Sequence, residues 1–133
     1  MFLIMILNLT NFLVSGILAI MLFFSFAIAP IIFKSLDEKN ARNFIRNIFP
    51  YYYFINLILS ILVIIFFVSM NFYGLNFYLI LSVAILFAFS QFILMPMINK
   101  FRDNNETKKF NYTHGVSVVI NIIQMVFLVI ILI

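Results

Sequence analysis

The chain has 133 residues, of which 66% are hydrophobic and only 9% charged, and its formal net charge at pH 7 is +4. A soluble domain typically carries about a quarter charged residues, so this composition excludes a soluble globular class and predicts an integral membrane protein. Cysteine is absent, which excludes disulfides, thiolate metal sites and redox thiols. The abundance of Phe and the absence of Trp are typical of an AT-rich genome, and we infer a bacterial inner membrane.

Four apolar segments are each long enough to cross a bilayer, whose core requires about 20 apolar helical residues. They lie at about 10–33, 48–70, 77–98 and 113–133. The sequence therefore predicts an all-α protein, a single membrane domain over residues 1–133 folded as a four-helix bundle. The first apolar run has no basic leader and exceeds the roughly 7–15 apolar residues of a signal peptide, so we expect a retained helix.

All charged side chains fall in two of the breaks between spans, at 34–46 and 100–109. With four crossings, these two loops share one side of the membrane, and both termini share the other side with the neutral turn NFYGLN. All eight Lys and Arg residues lie in the two charged loops. The positive-inside rule therefore predicts cytoplasmic charged loops and outside termini. We interpret the basic residues as topology determinants that can also contact anionic lipid, and no nucleic-acid partner is predicted.

The three prolines lie near the cytoplasmic ends of the spans. Pro50 precedes the apolar part of the second span and is predicted to start that helix, because proline is tolerated in a first helical turn. Pro30 and Pro96 have two interpretations. They either end the first and third helices, or they free a carbonyl one turn earlier and loosen helices that continue.

The two halves of the chain resemble each other at an offset of 66 residues, which aligns 30–44 with 96–110. The identical pairs are Pro30/Pro96, Ile32/Ile98, Lys34/Lys100, Asp37/Asp103 and Phe44/Phe110. One interpretation is a duplication that produced two parallel two-helix repeats related by an axis along the membrane normal. The alternative is biased composition combined with a shared helix-end pattern of proline followed by a basic residue.

Polar side chains within the spans are expected to face the bundle interior, because membrane helices associate through packing and hydrogen bonds. The fourth span carries a polar stripe on an arc of about 80°, formed by His114, Ser117, Asn121 and Gln124. Asn56 of the second span and Gln91 of the third lie at a similar depth, and we expect them to face the stripe. These six residues are the candidate cleft; the alternative is that they only hold the helices together.

His114 is the only histidine of the chain. An ionisable residue in a span indicates function, although a position near the interface also permits simple packing. The spans contain no carboxylate, which argues against proton relays and two-carboxylate hydrolysis. Without a second histidine or a His/Asp/Glu cluster, haem and zinc sites are disfavoured, whereas Met95 and Met97 could offer thioethers to Cu(I). No cofactor, metal site or catalytic residue is predicted.

Several positions around the first charged loop form a motif, namely Ala29, Pro30, Phe33, Leu36, Ala41, Phe49, Pro50 and Tyr52. Pro96 and a run from Phe110 through His114, Gly115 and Ser117 to Asn121 follow in the second half. With these motifs the chain resembles, over about 16–125, the domain of unknown function 4149 or transmembrane-protein-205-like family. The resemblance implies a four-helix integral membrane protein of unassigned biochemistry.

A more distant resemblance is to four-helix membrane proteins of the copper-resistance-D type and to HemJ-type protoporphyrinogen oxidases. Those proteins use membrane histidines for copper or haem, and their early-helix histidine is missing here. We therefore expect a non-enzymatic protein that presents a polar, cytoplasm-facing cleft to a small solute or a partner protein. The alternatives are a histidine-dependent haem or copper redox protein and a structural scaffold. The predicted partners are the lipid bilayer and a second membrane protein or another copy of the chain.

Overall fold

The computed structural model describes residues 1–133 and contains four long helices and no strand. They are α1 (Phe2–Ser35), α2 (Glu38–Ser69), α3 (Leu75–Asp103) and α4 (Thr107–Leu132). All four are long and apolar enough to cross a membrane. The shortest, α4, has 26 residues and spans about 39 Å, which exceeds the bilayer core of about 30 Å. The prediction of an all-α four-helix membrane bundle is confirmed.

The helices form a closed ring in which each contacts two neighbours. Helix α1 packs against α2 and α4, and α3 packs against the same two helices. A large core fills the centre, with Val14, Ile17, Val63, Phe87 and Leu128 fully buried. A second cluster of three buried residues, Ile32, Ala41 and Ile45, joins α1 to α2. Large apolar side chains such as Phe26 and Phe92 are exposed on the outside. An apolar exterior around an apolar core requires a surrounding bilayer.

The charged segments meet at one end of the bundle, where α1 and α3 end and α2 and α4 begin. Arg46 of α2 and Asp103 of α3 form an ion pair there, with 2.6 Å between the guanidinium nitrogen and the carboxylate oxygen. At the charged end the helices extend beyond the predicted spans because hydropathy detects only their apolar parts, and α1 also begins at Phe2 rather than near residue 10. The polar ends remain helical until a capping residue stops them.

Helix α2 begins at Glu38 because Asp37 caps it. The Asp37 carboxylate accepts a hydrogen bond from the backbone N–H of Asn40 at 3.3 Å, which satisfies a donor that the first turn leaves free. Glu38 and Arg42 add an ion pair at i, i+4. The side-chain hydrogen bond from Asn40, followed by its backbone hydrogen bond, lowers the pKa of Asp37 below its usual value. The cap is therefore charged at neutral pH.

The prediction that Pro50 starts the second helix is wrong. Pro50 lies inside α2, three turns after Glu38. Proline has no N–H, so the carbonyl of Arg46 lacks its helical donor at this point. Pro50 therefore removes one helical hydrogen bond. The helix continues past it because the cap at Asp37 nucleates α2 three turns earlier.

Helices α2 and α3 end in the same way. Asn71 and Asn105 adopt left-handed conformations, with φ of 52° and 56°, and asparagine is one of the few residues that visits this region readily. The following N–H groups donate to carbonyls five residues earlier, from Phe72 to Phe67 and from Glu106 to Phe101, both at 2.9 Å. This arrangement is the Schellman motif, and it allows short connections between neighbouring helices.

Pro30 and Pro96 do not end their helices. Each follows a π-helical turn, at Phe24–Ile28 in α1 and at Ser90–Leu94 in α3. A proline ring clashes with the carbonyl four residues before it, and the wider π turn relieves that clash. The interpretation of these prolines as helix terminators is therefore wrong, and both helices continue to the charged end.

The two π turns begin 66 residues apart, at Phe24 and Ser90. This offset equals the one that aligns the two halves of the sequence. Because each π turn accommodates the proline that follows it, the shared offset of the prolines is sufficient to explain the shared offset of the turns. The duplication stays a hypothesis.

Candidate functional site

A cleft of about 330 Å³ opens between α1 and α4. Thirteen residues line it, of which nine are hydrophobic, and Phe49, Tyr52 and Tyr53 of α2 contribute from the centre of the bundle. The four remaining residues are Ser25, His114, Ser117 and Asn121. In α1 the lining residues lie near the charged end, whereas in α4 they extend from His114 past the middle of the helix to Met125. The cleft is thus an apolar chamber with a few polar groups.

A chain of hydrogen bonds joins three helices at the wall of this cleft. The Tyr52 hydroxyl of α2 donates to Oδ1 of Asn121 in α4 at 2.9 Å. The Asn121 amide nitrogen donates to Oγ of Ser25 in α1 at 3.1 Å. The Tyr52 ring lies against Phe24, with 4.6 Å between ring centroids. Helices α2 and α4 are diagonal neighbours, so the length of the tyrosine is what allows this contact across the centre.

The π turn of α1 contains Ser25, the last member of this chain. Inserting a residue into a helical turn changes the direction of the side chains that follow, and π turns are frequent at functional sites for that reason. Ser25 accepts from Asn121 and donates to no protein acceptor. Asn121 also retains a second amide hydrogen. The wall of the cleft therefore offers unused donors.

Of the α4 residues that line the cleft, His114 lies nearest the charged end. Its ring is exposed and stacks on Phe110, with 5.8 Å between centroids and 5° between planes. Phe110 in turn receives the Arg102 guanidinium at 4.2 Å from its ring centroid. Ser117, one turn further along α4, donates to the backbone carbonyl of His114 at 2.7 Å. Its hydroxyl hydrogen is thus already used.

The structure brings together three of the six predicted cleft residues, His114, Ser117 and Asn121. Gln124 instead is fully buried, and its amide nitrogen donates to the carbonyl of Val83 in α3 at 3.2 Å. Ten residues separate Gln124 from His114, and the helical rotation of about 80° between them turns Gln124 from α1 toward α3. The four polar residues therefore lie on one arc of α4 but belong to two interfaces. His114, Ser117 and Asn121 line the cleft between α1 and α4, whereas Gln124 contacts α3.

Asn56 and Gln91 do not line the cleft. Asn56 is fully buried and donates to the carbonyl of Tyr52 in its own helix at 2.8 Å. Gln91 lies in the π turn of α3. The buried side-chain oxygens of Asn56, Gln91 and Gln124 have no protein donor. Asn56 and Gln91 therefore do not hold helices together by hydrogen bonds, whereas Gln124 does.

The expected pairing of the stripe with Asn56 and Gln91 is replaced by pairing with Tyr52 and Ser25. A tyrosine at position 52 reaches across the bundle, whereas the shorter Asn56 amide bonds within its own helix. Ser25 was missed because it is an isolated serine in an apolar run. The sequence did contain one indication of its position. Ser25 lies five residues before Pro30, and a proline inside a helix distorts the turn that precedes it.

The family-type motif residues are distributed between the cleft and the outer surface. Phe49 and Tyr52 line the cleft, and Pro50 is partly buried in α2. Pro30, Phe33 and Pro96 are exposed. Phe49 and Tyr52 of the motif therefore line the cleft. Pro30 and Pro96 instead follow the π turns of α1 and α3.

No group of three or more His, Cys, Asp and Glu side chains is placed to hold a metal ion. The proposed thioether ligands Met95 and Met97 do not line the cleft with His114; the methionine found there is Met125. One imidazole and one thioether form an incomplete donor set for a structural or catalytic metal.

The fold and the cleft together define a four-helix integral membrane protein. Residues 12–107 match the family described as domain of unknown function DUF4149. The match covers more than half of the chain, which therefore belongs to this family. It ends before most of α4, so His114, Ser117 and Asn121 lie outside it. No curated protein and no solved structure matches the chain, and the distant resemblance to copper-resistance-D and HemJ-type proteins is not confirmed.

Proposed function

We propose that this membrane protein binds a small, mostly apolar molecule that carries a hydrogen-bond-accepting oxygen. The observation that carries the proposal is the Tyr52–Asn121–Ser25 chain at the wall of a 330 Å³ cleft. Ligand sites in proteins typically measure about 300–1,000 Å³ and combine an apolar lining with a few placed polar groups. The cleft fits the lower end of that range and therefore favours a small ligand.

The free hydroxyl hydrogen of Ser25 supports ligand binding over a purely structural role. Ser60, Ser82 and Ser117 each donate to a carbonyl of their own helix at 2.7–2.8 Å. This is the usual way to satisfy a hydroxyl in an apolar span. Ser25 makes no such bond, and unlike Ser15 and Ser90, which also donate to no carbonyl, it lines the cleft. A carbonyl, ether or hydroxyl oxygen of a ligand would complete it, with His114 at the entrance.

We place the mouth of the cleft on the cytoplasmic side. The reason is that all eight basic residues lie at one end of the bundle, and basic residues favour the cytoplasmic side. Single cysteines on this cysteine-free chain provide the test. Tyr73→Cys, in the neutral turn, is expected to react with a membrane-impermeant maleimide in intact cells. Lys39→Cys and Lys108→Cys are expected to react only after permeabilisation. The reverse pattern would reject the orientation.

The ligand proposal can be tested by photolabelling in nanodiscs with an aliphatic ketone that carries a diazirine. Labelled peptides are expected to map to residues 24–29, 49–53 and 114–125. We expect 2-nonanone to compete about fivefold better than nonane, because a single hydrogen bond contributes about 1 kcal/mol. Ser25→Ala should remove that difference, since the substitution deletes the free donor.

Ser82→Ala is the matched control, because its hydroxyl is bonded within α3 at 2.8 Å. It is expected to leave the preference for the ketone unchanged. Uniform labelling of lipid-facing peptides, or equal competition by the ketone and the alkane, would overturn the proposal and leave the scaffold interpretation. A haem or copper absorption band in the purified protein would instead favour the histidine-dependent redox alternative.

A further inference from the structure

A second cleft, of about 270 Å³, lies at the charged end of the bundle. None of its seven lining residues is hydrophobic. Five belong to the first turns of α2 and two to the last turn of α3, so the site joins segments that are more than 50 residues apart in the chain. This second cleft is distinct from the apolar cleft described above, since no residue lines both.

The second cleft has a surplus of positive charge. Four basic side chains and two carboxylates line it. Arg42 pairs with Glu38, and Arg46 pairs with Asp103 at 2.6 Å. Arg102 makes no salt bridge; its guanidinium lies 4.2 Å from the ring centroid of Phe110. Two positive charges are therefore left uncompensated by protein carboxylates.

A topological role alone does not explain this convergence. The positive-inside rule requires only that basic residues lie in the cytoplasmic segments, and separated positions would satisfy it. Like charges brought together repel each other, which costs free energy at short range even near the surface. Arg42, Arg46 and Arg102 nevertheless share one cleft, with the Arg102 guanidinium positioned against an aromatic ring. Such an arrangement is suited to an anion.

We propose that the second cleft binds a phosphoryl group through Arg102 and Lys39, which have no carboxylate partner, and through the N–H groups that Arg42 and Arg46 do not use in their ion pairs. Guanidinium groups match phosphate oxygens with two parallel hydrogen bonds, and stacking on an aromatic ring holds the guanidinium plane in place. A phosphate group carries about one to two negative charges, which equals the surplus in the cleft. The group can come from a phospholipid headgroup at the membrane surface or from a soluble phosphate compound.

The two sources can be separated with protein in nanodiscs of neutral phosphatidylcholine. In one experiment, phosphatidylglycerol is added to the bilayer and native mass spectrometry counts the lipids retained. In the other experiment, isothermal titration calorimetry measures the binding of inorganic phosphate to the protein. We expect saturable binding at one site in at least one experiment. Arg102→Gln should weaken it by about tenfold or more, and Arg102→Lys should also weaken it because a lysine cannot form the bidentate contact.

Lys108→Gln is the matched control, since it removes one positive charge from the same end of the bundle outside the second cleft. It is expected to change binding by less than about twofold. Equal weakening by Lys108→Gln and Arg102→Gln would show diffuse attraction and overturn the proposal, as would the absence of saturable binding in both experiments. Arg42→Gln replaces Arg102→Gln if size-exclusion chromatography shows that the latter does not fold.

Discussion

Phe87→Ala is expected to lower the free energy of unfolding by about 2–4 kcal/mol, the largest effect of any substitution considered for this protein. Phe87 is fully buried in the centre of the bundle. Its ring lies 6.4 Å and 6.5 Å from the rings of Tyr52 and Tyr53. Because the unfolded helices remain in lipid, the loss of transfer free energy is small and the cavity accounts for most of the effect.

Phe92→Ala provides the control for Phe87→Ala, since it makes the same change in the same helix at a side chain that is 64% exposed. Lipid tails fill the space left at that position, so its effect on the free energy of unfolding is expected to stay below about 0.5 kcal/mol. Unfolding by sodium dodecyl sulfate in mixed micelles measures the free energy of unfolding of both variants. Equal effects of the two substitutions would contradict the burial of Phe87 in the bundle.

Loss of the Tyr52 hydroxyl is expected to destabilise the protein by about 1 kcal/mol. Tyr52→Phe keeps the buried ring but removes the donor to Asn121, whose Oδ1 is then unpaired between helices. Asn121→Leu removes both bonds of the amide and leaves the Tyr52 hydroxyl and Ser25 without that partner. The effects of Tyr52→Phe and Asn121→Leu should therefore not add.

A double-mutant cycle with Tyr52→Phe and Asn121→Leu measures this coupling. Interhelical hydrogen bonds in membranes average about 0.6 kcal/mol and reach about 1.7 kcal/mol, and we expect a value in that range. Tyr51→Phe deletes the same hydroxyl from the neighbouring residue, which is 70% exposed, and should have little effect. A coupling energy of zero would show that the bond across the bundle does not form in the membrane.

The sequence alone determined the class of protein and the end at which its charges lie. These properties depend on composition and on runs of about 20 residues, which local hydropathy detects without knowledge of neighbours. It also predicted that Asn121 and His114 share one face of a helix, because three- and four-residue spacings place polar side chains on one face. The predicted spans were shorter than the helices, since hydropathy does not report where a polar cap such as Asp37 starts a helix.

The tertiary structure decided which polar residues meet. Tyr52 crosses the bundle to Asn121, while Asn56, one turn later on the same face of α2, bonds within its own helix. The π turn at Phe24–Ile28 directs Ser25 toward the cleft. Side-chain length and a single inserted residue in a helical turn determine these contacts, and neither changes the hydrophobic periodicity of the sequence.

The second cleft also depended on tertiary structure. The charges of 34–46 and 100–109 were visible in the sequence, but hydropathy and charge counting treat the two segments as independent loops. Packing of α2 against α3 brings Arg42 and Arg46 to Arg102, which lies 56 residues beyond Arg46 in the chain. Spacing along the chain carries no information about such a contact, because the distance between two helix ends is set by how the helices pack.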